Sequence, residues 1–352
     1  MSKSMTAQQV GQNMHRYSNE VDKVLVGGER TTAIVLRTML ARGHCLVQGV
    51  PGVGKSLLAK ALARSLDVRS TVFQFYADTM PSDVTGTEIY DPVSRTMKPK
   101  KGLIDWETPF VLADEINRAP EKTLGSLLTI MQDAYIRIGE TDFPMAQPFF
   151  AIGCCNPIEQ GGTYKLPEAV LDRFYSMAVM GYTTFDQAVH MAMDNNHQTV
   201  DPITSAGVHA VLHPEELLAM QEFVRENIKV SQSVARYIAR LIFSTRPAED
   251  DDSTDTAFDG RFYNLYMPEA YRKEKLVLVG DSNRAIIYLT AMAKANAAMD
   301  GRNEVQDSDV KDVATSVLAH RLTLNAQKAF RYDRNINRKI VRELLKTVPT
   351  VG

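Results

Sequence analysis

Only three cysteines occur in 352 residues, Cys45, Cys154 and Cys155, too few for a disulfide scaffold. All three lie in apolar runs that read as buried strands. Cys154 and Cys155 are adjacent, so they point to opposite faces of such a strand and cannot hold one metal together; they read as inert core thiols. Charge of one sign is also lacking. Lys and Arg total 40 against 42 Asp and Glu, a formal net charge of −2, so no overall field draws the chain to nucleic acid or to an anionic membrane. A local basic groove stays open. The first twenty residues have no apolar stretch of the signal type and no run approaches a membrane span, which makes the cytoplasm the expected location and membrane insertion unexpected. No internal repeat, low-complexity tract or appended DNA-binding motif is present.

What remains is an ordinary folding composition, 44% hydrophobic and 23% charged, in a chain long enough for one large unit and one smaller one. Apolar runs at His44 to Gln48, Ser70 to Phe75, Pro109 to Ala113 and Phe149 to Cys155 read as strands. Helical spacing at Leu57 to Leu66 and Leu124 to Tyr135 lies among them, which predicts an α/β unit with a mainly parallel sheet. After about Pro214 the pattern becomes helical, at Glu215 to Asn227, Ser231 to Ser244, Arg284 to Met299 and Asp307 to Leu322, with no convincing strand. An irregular stretch from Arg246 to Leu276 holds an acidic run, Glu249 to Asp252, and aromatics at Phe258, Phe262, Tyr263 and Tyr266, fit either for packing or for a contact surface.

Gly49-Val-Pro-Gly-Val-Gly-Lys55-Ser56 satisfies GxxxxGK[ST] between a predicted strand and a predicted helix, the context that motif requires. Gly49, Gly52 and Gly54, with Pro51, Val53 and Leu57 completing the loop, let main-chain N–H groups turn around phosphates at a helix amino terminus. Lys55 would neutralise the β- and γ-phosphates of ATP and Ser56 would hold Mg2+. Asp114 and Glu115 follow an apolar strand and so stand at its carboxyl end, where ligands of open α/β sheets gather. Asp114 can orient Mg2+ and Glu115 can take a proton from the attacking water; the same acids could instead cap the next helix. Asn156 ends another strand, either to position water or as a turn residue before proline. Arg173 offers a planar fork suited to a developing γ-phosphate charge, or a solvated surface cation.

The ordered set GVPGVGKS, MPSDVTG, FVLADEINRAP, CCNPIEQGGTY, LPEAVLDRF, GDSNRA and VLAHRL resembles the MoxR branch of the AAA+ ATPases, from about Val24 to about Leu322. The resemblance implies a P-loop AAA+ core with a parallel five-stranded sheet, followed by a smaller all-helical lid domain. The division expected is a core over residues 1–213 and a lid over 214–352, with an irregular insertion near 246–276. It further implies a helix-2 insert near 81–105, a pre-sensor-1 hairpin near 134–147, and nucleotide at the seam between core and lid.

By the same resemblance Asn156 matches sensor 1, Arg173 the arginine finger that reaches a neighbour's site, and Arg284 the lid arginine called sensor 2. Val26 and Gly27 lie where the family lines its adenine pocket. A homo-oligomeric ring, usually of six, would act on a client protein, often beside a partner carrying a von Willebrand factor A domain. A nucleic-acid motor or a nucleotide-locked scaffold ring are the other readings. Lys98, Lys100 and Lys101 in the first insert could grip a substrate or form a solvated turn. Asp281 and Asn283 replace the small residue and proline usual in the lid motif, which loosens the expected aim of Arg284.

Overall fold

Strands buried on both faces need apolar side chains at every position, and the central runs of this chain have them. The computed structural model describes residues 5–156, 165–193, 201–247, 263–333 and 335–350. The chain forms β1 (Cys45–Gly49), β2 (Ser70–Gln74), a hairpin of β3 (Gly86–Asp91) and β4 (Thr96–Lys101), β5 (Phe110–Asp114), a second hairpin of β6 (Tyr135–Ile138) and β7 (Thr141–Pro144), then β8 (Phe150–Cys155) and β9 (Ser176–Met180). Five of these make one parallel sheet in the order β2-β5-β8-β1-β9. The five-stranded parallel core expected from the family resemblance is therefore present.

Alternation along the strands divides the core in two. Cys45, Val47, Leu112, Ile152 and Cys154 join one buried cluster with the helices Ala7–Asp22, Glu29–Leu40 and Lys55–Ser65. Leu46, Val111, Ala113, Ala151 and Cys155 join the other, under the helix Glu121–Asp133. Cys154 and Cys155 thus do face opposite sides. The register pairs Gln74 with Asp114, Ala113 with Gly153, and Gln48 with Cys155, so the carboxyl ends of β5, β8 and β1 lie side by side.

The carboxyl-terminal part is helical, built on Pro214–Asn227, Gln232–Thr245, Asn283–Met299, Asp307–Leu318 and Ile336–Thr347. One correction is small: Val277–Val279 (β10) and Thr323–Leu324 (β11) pair antiparallel, so a two-stranded ribbon interrupts the helices. The helix read over Asp307 to Leu322 accordingly stops at Leu318. Apolar packing runs on across residue 214. Val10, Met14 and Leu36 share a single cluster with Leu217, Leu241, Leu289 and Val317. The amino-terminal helix Ala7–Asp22, begun by a Thr6/Gln9 capping box, lies against the lid helix Asn283–Met299.

The acidic run Glu249 to Asp252, Phe258, Phe262 and most of NPIEQGGTY lie outside the described residues. The β3–β4 hairpin is exposed. Its Lys98 pairs with Asp91, and its Lys101 pairs with Asp105 at 2.8 Å and Glu107 at 2.7 Å. No helix among the described residues is long and apolar enough to cross a membrane.

Close approach of the first helix to the lid rests on Gly11, where a Cβ would meet the Met299 carbonyl oxygen at 2.7 Å. Gly11→Val should therefore lower the unfolding free energy by about 1–3 kcal/mol through overpacking. Gly125, inside the exposed face of Glu121–Asp133, has open space around it, and Gly125→Ala should raise stability by roughly 0.5–1 kcal/mol. Chemical denaturation of both variants checks the pair; equal effects of the same sign would contradict the packing.

Candidate functional site

The loop after β1 turns twice through the left-handed region, at Gly52 with φ +84° and Gly54 with φ +97°, conformations open to glycine at no steric cost. Gly49 is needed for a different reason, since a Cβ there would meet the Met180 carbonyl oxygen at 2.8 Å. Lys55 then opens the helix Lys55–Ser65. Successive residues in such conformations aim their N–H groups into a common concavity, and the helix dipole adds to it, so the loop fits a phosphate group. The space beside Gly52 is clear, with nothing within 4 Å of the place a Cβ would take.

Lys55 is buried, donates to the Gly49 carbonyl at 3.1 Å and stands 3.5 Å from Asp114 Oδ1. That contact follows from sheet order, because only β8 lies between β5 and β1. Asp114 Oδ1 also accepts from the Glu115 amide at 2.9 Å. Glu115 itself is buried at φ +54°, an uncommon conformation for a residue with a side chain. Arg118 Nε approaches Glu115 Oε2 to 3.4 Å, near enough for charge attraction but not aligned as a hydrogen bond. Both atoms are therefore buried with no hydrogen-bond partner among the described residues, as is Asn117 Oδ1. Buried polar atoms left in this way are costly, and here they gather beside a cleft of about 560 Å³ lined by Asn117, Arg118, Lys165 and Pro167. Asn156 follows the last residue of β8, between the other two strand ends. Ser56 and Leu57 are half-buried in the first turn of the phosphate helix. Leu25 reaches Gly54, and Gly27, at φ +75°, is covered by the Gln187 side chain, so the Val26–Gly27 segment borders the loop.

Arg173 and Arg284 are elsewhere. They line a cleft of about 260 Å³ with Arg42, His44, Tyr175 and Tyr288. His44 precedes β1, whereas Lys55 follows its carboxyl end. Five residues of strand put ~15 Å between the two ends. Arg284 joins Arg173 at the amino-terminal ends of the strands, away from the phosphate loop. The positive charge of that cleft comes from arginine, because His44 is neutral in its fold context. Its Nε2 faces the Met131 carbonyl at 2.8 Å, its Nδ1 accepts from the Ala151 amide at 3.0 Å, and burial pushes its pKa down to about 4.

The residue that joins the two arginines was not singled out by the sequence. Asp172 accepts from Ser282 Oγ at 2.9 Å and from Arg321 Nε at 3.2 Å, and lies 3.4 Å from Arg284 Nη1. Buried Arg321 also donates to the Phe174 and Val317 carbonyls, while Tyr175 stacks on Tyr288 with centroids 3.9 Å apart. The segment from Asp172 to Tyr175 is thereby clamped to the lid. Asp172 adjoins Arg173, and Arg321 lies in the VLAHRL string, but only the docking of the lid reveals that they pair.

The altered lid motif is held by hydrogen bonds where the family uses proline. Arg246 donates to Asn283 Oδ1 at 2.9 Å and to the Asp281 carbonyl at 3.0 Å. The Asp281 amide donates to Thr245 Oγ1 at 2.9 Å, and Ser282 caps the lid helix by accepting from the Arg284 amide. The Asp281 carboxylate is fully enclosed, and neither oxygen has a hydrogen-bond partner among the described residues. Burial pushes its pKa up to about 7, against the opposing attraction of Arg321 and Arg246.

A family model described as the ATPase family associated with various cellular activities (AAA) matches residues 44–176, and one described as an AAA lid domain matches residues 269–344. The chain is 33% identical to Chaperone MoxR1 of Mycobacterium tuberculosis, over 87% of this chain and 74% of that one. It is 31% identical to the protein YeaC of Bacillus subtilis, over 93% and 92% of the two chains. To the protein MoxR of Paracoccus denitrificans the identity is 30%, over 86% of each. The crystal structure of a protein from Cytophaga hutchinsonii assigned as an ATPase superposes with a TM-score of 0.81 at 29% identity, covering 98% of this chain and 97% of that one.

The raised Asp281 pKa has a definite consequence for stability. Below about pH 4 the carboxyl is protonated in both folded and unfolded chains. As pH rises from there to about 7, the unfolded carboxyl ionises while the buried one keeps its proton, so Asp281 lowers stability across that window. Asp281→Ala should flatten the fall and raise the unfolding free energy at pH 8 by about 1–3 kcal/mol. Urea denaturation between pH 5 and pH 8 measures both; an unchanged slope would contradict the burial.

Proposed function

Because the chain belongs to the MoxR family of AAA+ ATPases, we propose that it hydrolyses ATP at a site completed by a second copy of itself and uses the resulting motion to remodel or activate a client protein complex. One observation carries this reading. Lys55, Asp114, Glu115 and Asn156 gather at the carboxyl ends of β1, β5 and β8, while Arg173 and Arg284 share a cleft at the opposite ends. That separation within one chain supports a head-to-tail neighbour as the source of the arginines, and repeated head-to-tail contact closes a ring when the rotation allows.

In this reading the loop from Gly49 to Leu57 holds the triphosphate, with Val26 and Gly27 beside the base. Lys55 leaves Asp114 for the β- and γ-phosphate oxygens. Ser56 and Asp114 would hold Mg2+, which neutralises phosphate charge when bound. Water attacks the γ-phosphorus and the bond to the β–γ bridging oxygen breaks. Glu115 accepts the water's proton, Asn156 orients that water, and ADP and phosphate leave. Negative charge spreading over the γ-oxygens is met by Arg173 and Arg284 of the neighbouring copy, whose forks suit it. Because Asp172 ties Arg173 to the lid, loss of the γ-phosphate shifts finger and lid as one piece.

A ring of six, a client protein and a partner with a von Willebrand factor A domain belong to the same proposal. The chaperone name of the mycobacterial relative supports the client, and a net charge of −2 speaks against a nucleic-acid track.

Glu115→Gln keeps the side chain's size but removes the base. It should leave ATP binding within about threefold while turnover falls by about 100-fold or more. Phosphate release and equilibrium nucleotide binding on the same preparation check this; undiminished turnover would remove Glu115 from the mechanism.

A further inference from the structure

The helix Phe185–Met193 follows β9 and buries none of its residues. Tyr182 just before it is 82% exposed, as is Phe185, and Met193 is 78% exposed. Nine residues are too few for a helix to persist in water by themselves, and a contiguous apolar face of this kind marks an interaction surface. The helix is tied to the nucleotide-loop side of the chain, where its Gln187 covers Gly27.

The other side of the molecule offers a matching hollow. A groove of about 380 Å³ runs between the helices Glu29–Leu40, Pro214–Asn227 and Asn283–Met299, floored by Leu40, Val224 and Ile286. Its rim holds Arg42 and Arg225, both paired with Glu222, and Lys294, which donates to the Arg225 carbonyl. Arg42 also lines the cleft of Arg173 and Arg284, so groove and cleft adjoin. Ile287, in the groove wall and 62% exposed, lies three residues after Arg284 on the same helix face.

That spacing limits what Ile287 can meet. If Arg284 reaches a neighbour's γ-phosphate, Ile287 follows by less than one helical turn, about 5 Å. Ile287 is then carried to the side of the neighbour that bears its nucleotide site, the side on which the helix at Gly27 presents an exposed apolar face. We propose that the helix Phe185–Met193 of one copy docks in the groove beside Ile287 of the next copy. The proposal rests on the divided-site reading above and assigns the occupant of both apolar faces: each is covered by another copy of this chain.

Cysteine cross-linking tests it on the full-length chain. Cys45, Cys154 and Cys155 are buried, with burial pushing the Cys45 thiol up to about 11 and the Cys155 thiol up to about 12, so added surface thiols react selectively. The chain carrying both Phe185→Cys and Ile287→Cys, oxidised with ATP and Mg2+ present, should give a ladder of covalent oligomers. A mixture of the two single variants should stop at the dimer. Light scattering and phosphate release are recorded on each sample. Oligomers that turn over ATP yet form no cross-link overturn the docking alone. A chain that stays monomeric with nucleotide overturns the docking together with the divided site. As a second readout, Ile287→Asp should raise the protein concentration needed for half-maximal turnover by about tenfold; an unshifted curve counts against the contact.

Discussion

A buried ammonium group needs an answering charge, and here the answer comes from a strand two places along the sheet. Removing a cation from water is expensive unless it is paired and hydrogen-bonded. Lys55 is both, through Asp114 and the Gly49 carbonyl. The pairing requires β5, β8 and β1 to lie in that order with aligned carboxyl ends. The same alignment sets Glu115 and Asn156 beside the loop. Sheet topology, loop glycines and acid placement are therefore one constraint, and the helices on both faces serve to hold the strands in register.

The opposite end of the sheet is organised around a carboxylate. Asp172 takes Ser282, Arg321 and Arg284 from the lid, and the Tyr175–Tyr288 stack fastens the next residues of the same segment. These contacts join the segment carrying Arg173 to the lid as one packed unit. The shared apolar cluster extends that connection to the amino-terminal helix.

Much of the core was legible in the sequence because its signals are local. Continuous apolar runs gave the strands, and GxxxxGK[ST] carries its own strand-loop-helix context. Cys154 and Cys155 could be assigned to opposite faces from the period of a strand. The lid was less legible. Val277–Val279 and Thr323–Leu324 are too short to show alternation, and only distant pairing makes them strands. The position of Arg284 could not be read either, since it depends on which end of the sheet the lid covers. The loop around Asp281 and Asn283 looked loosened by the loss of proline, yet Arg246 and Thr245 restrain it from the preceding helix. Long-range hydrogen bonds of that sort leave no local pattern.

The central claim is that phosphate grip and charge stabilisation sit on different copies of the chain. Its most direct test mixes two inactive proteins, Lys55→Ala and Arg173→Ala, and measures ATP turnover against each by itself. The account predicts that activity returns on mixing, because some boundaries then pair an intact Lys55 with an intact Arg173. A mixture that assembles but stays as inactive as its components would show that both residues must belong to the same chain.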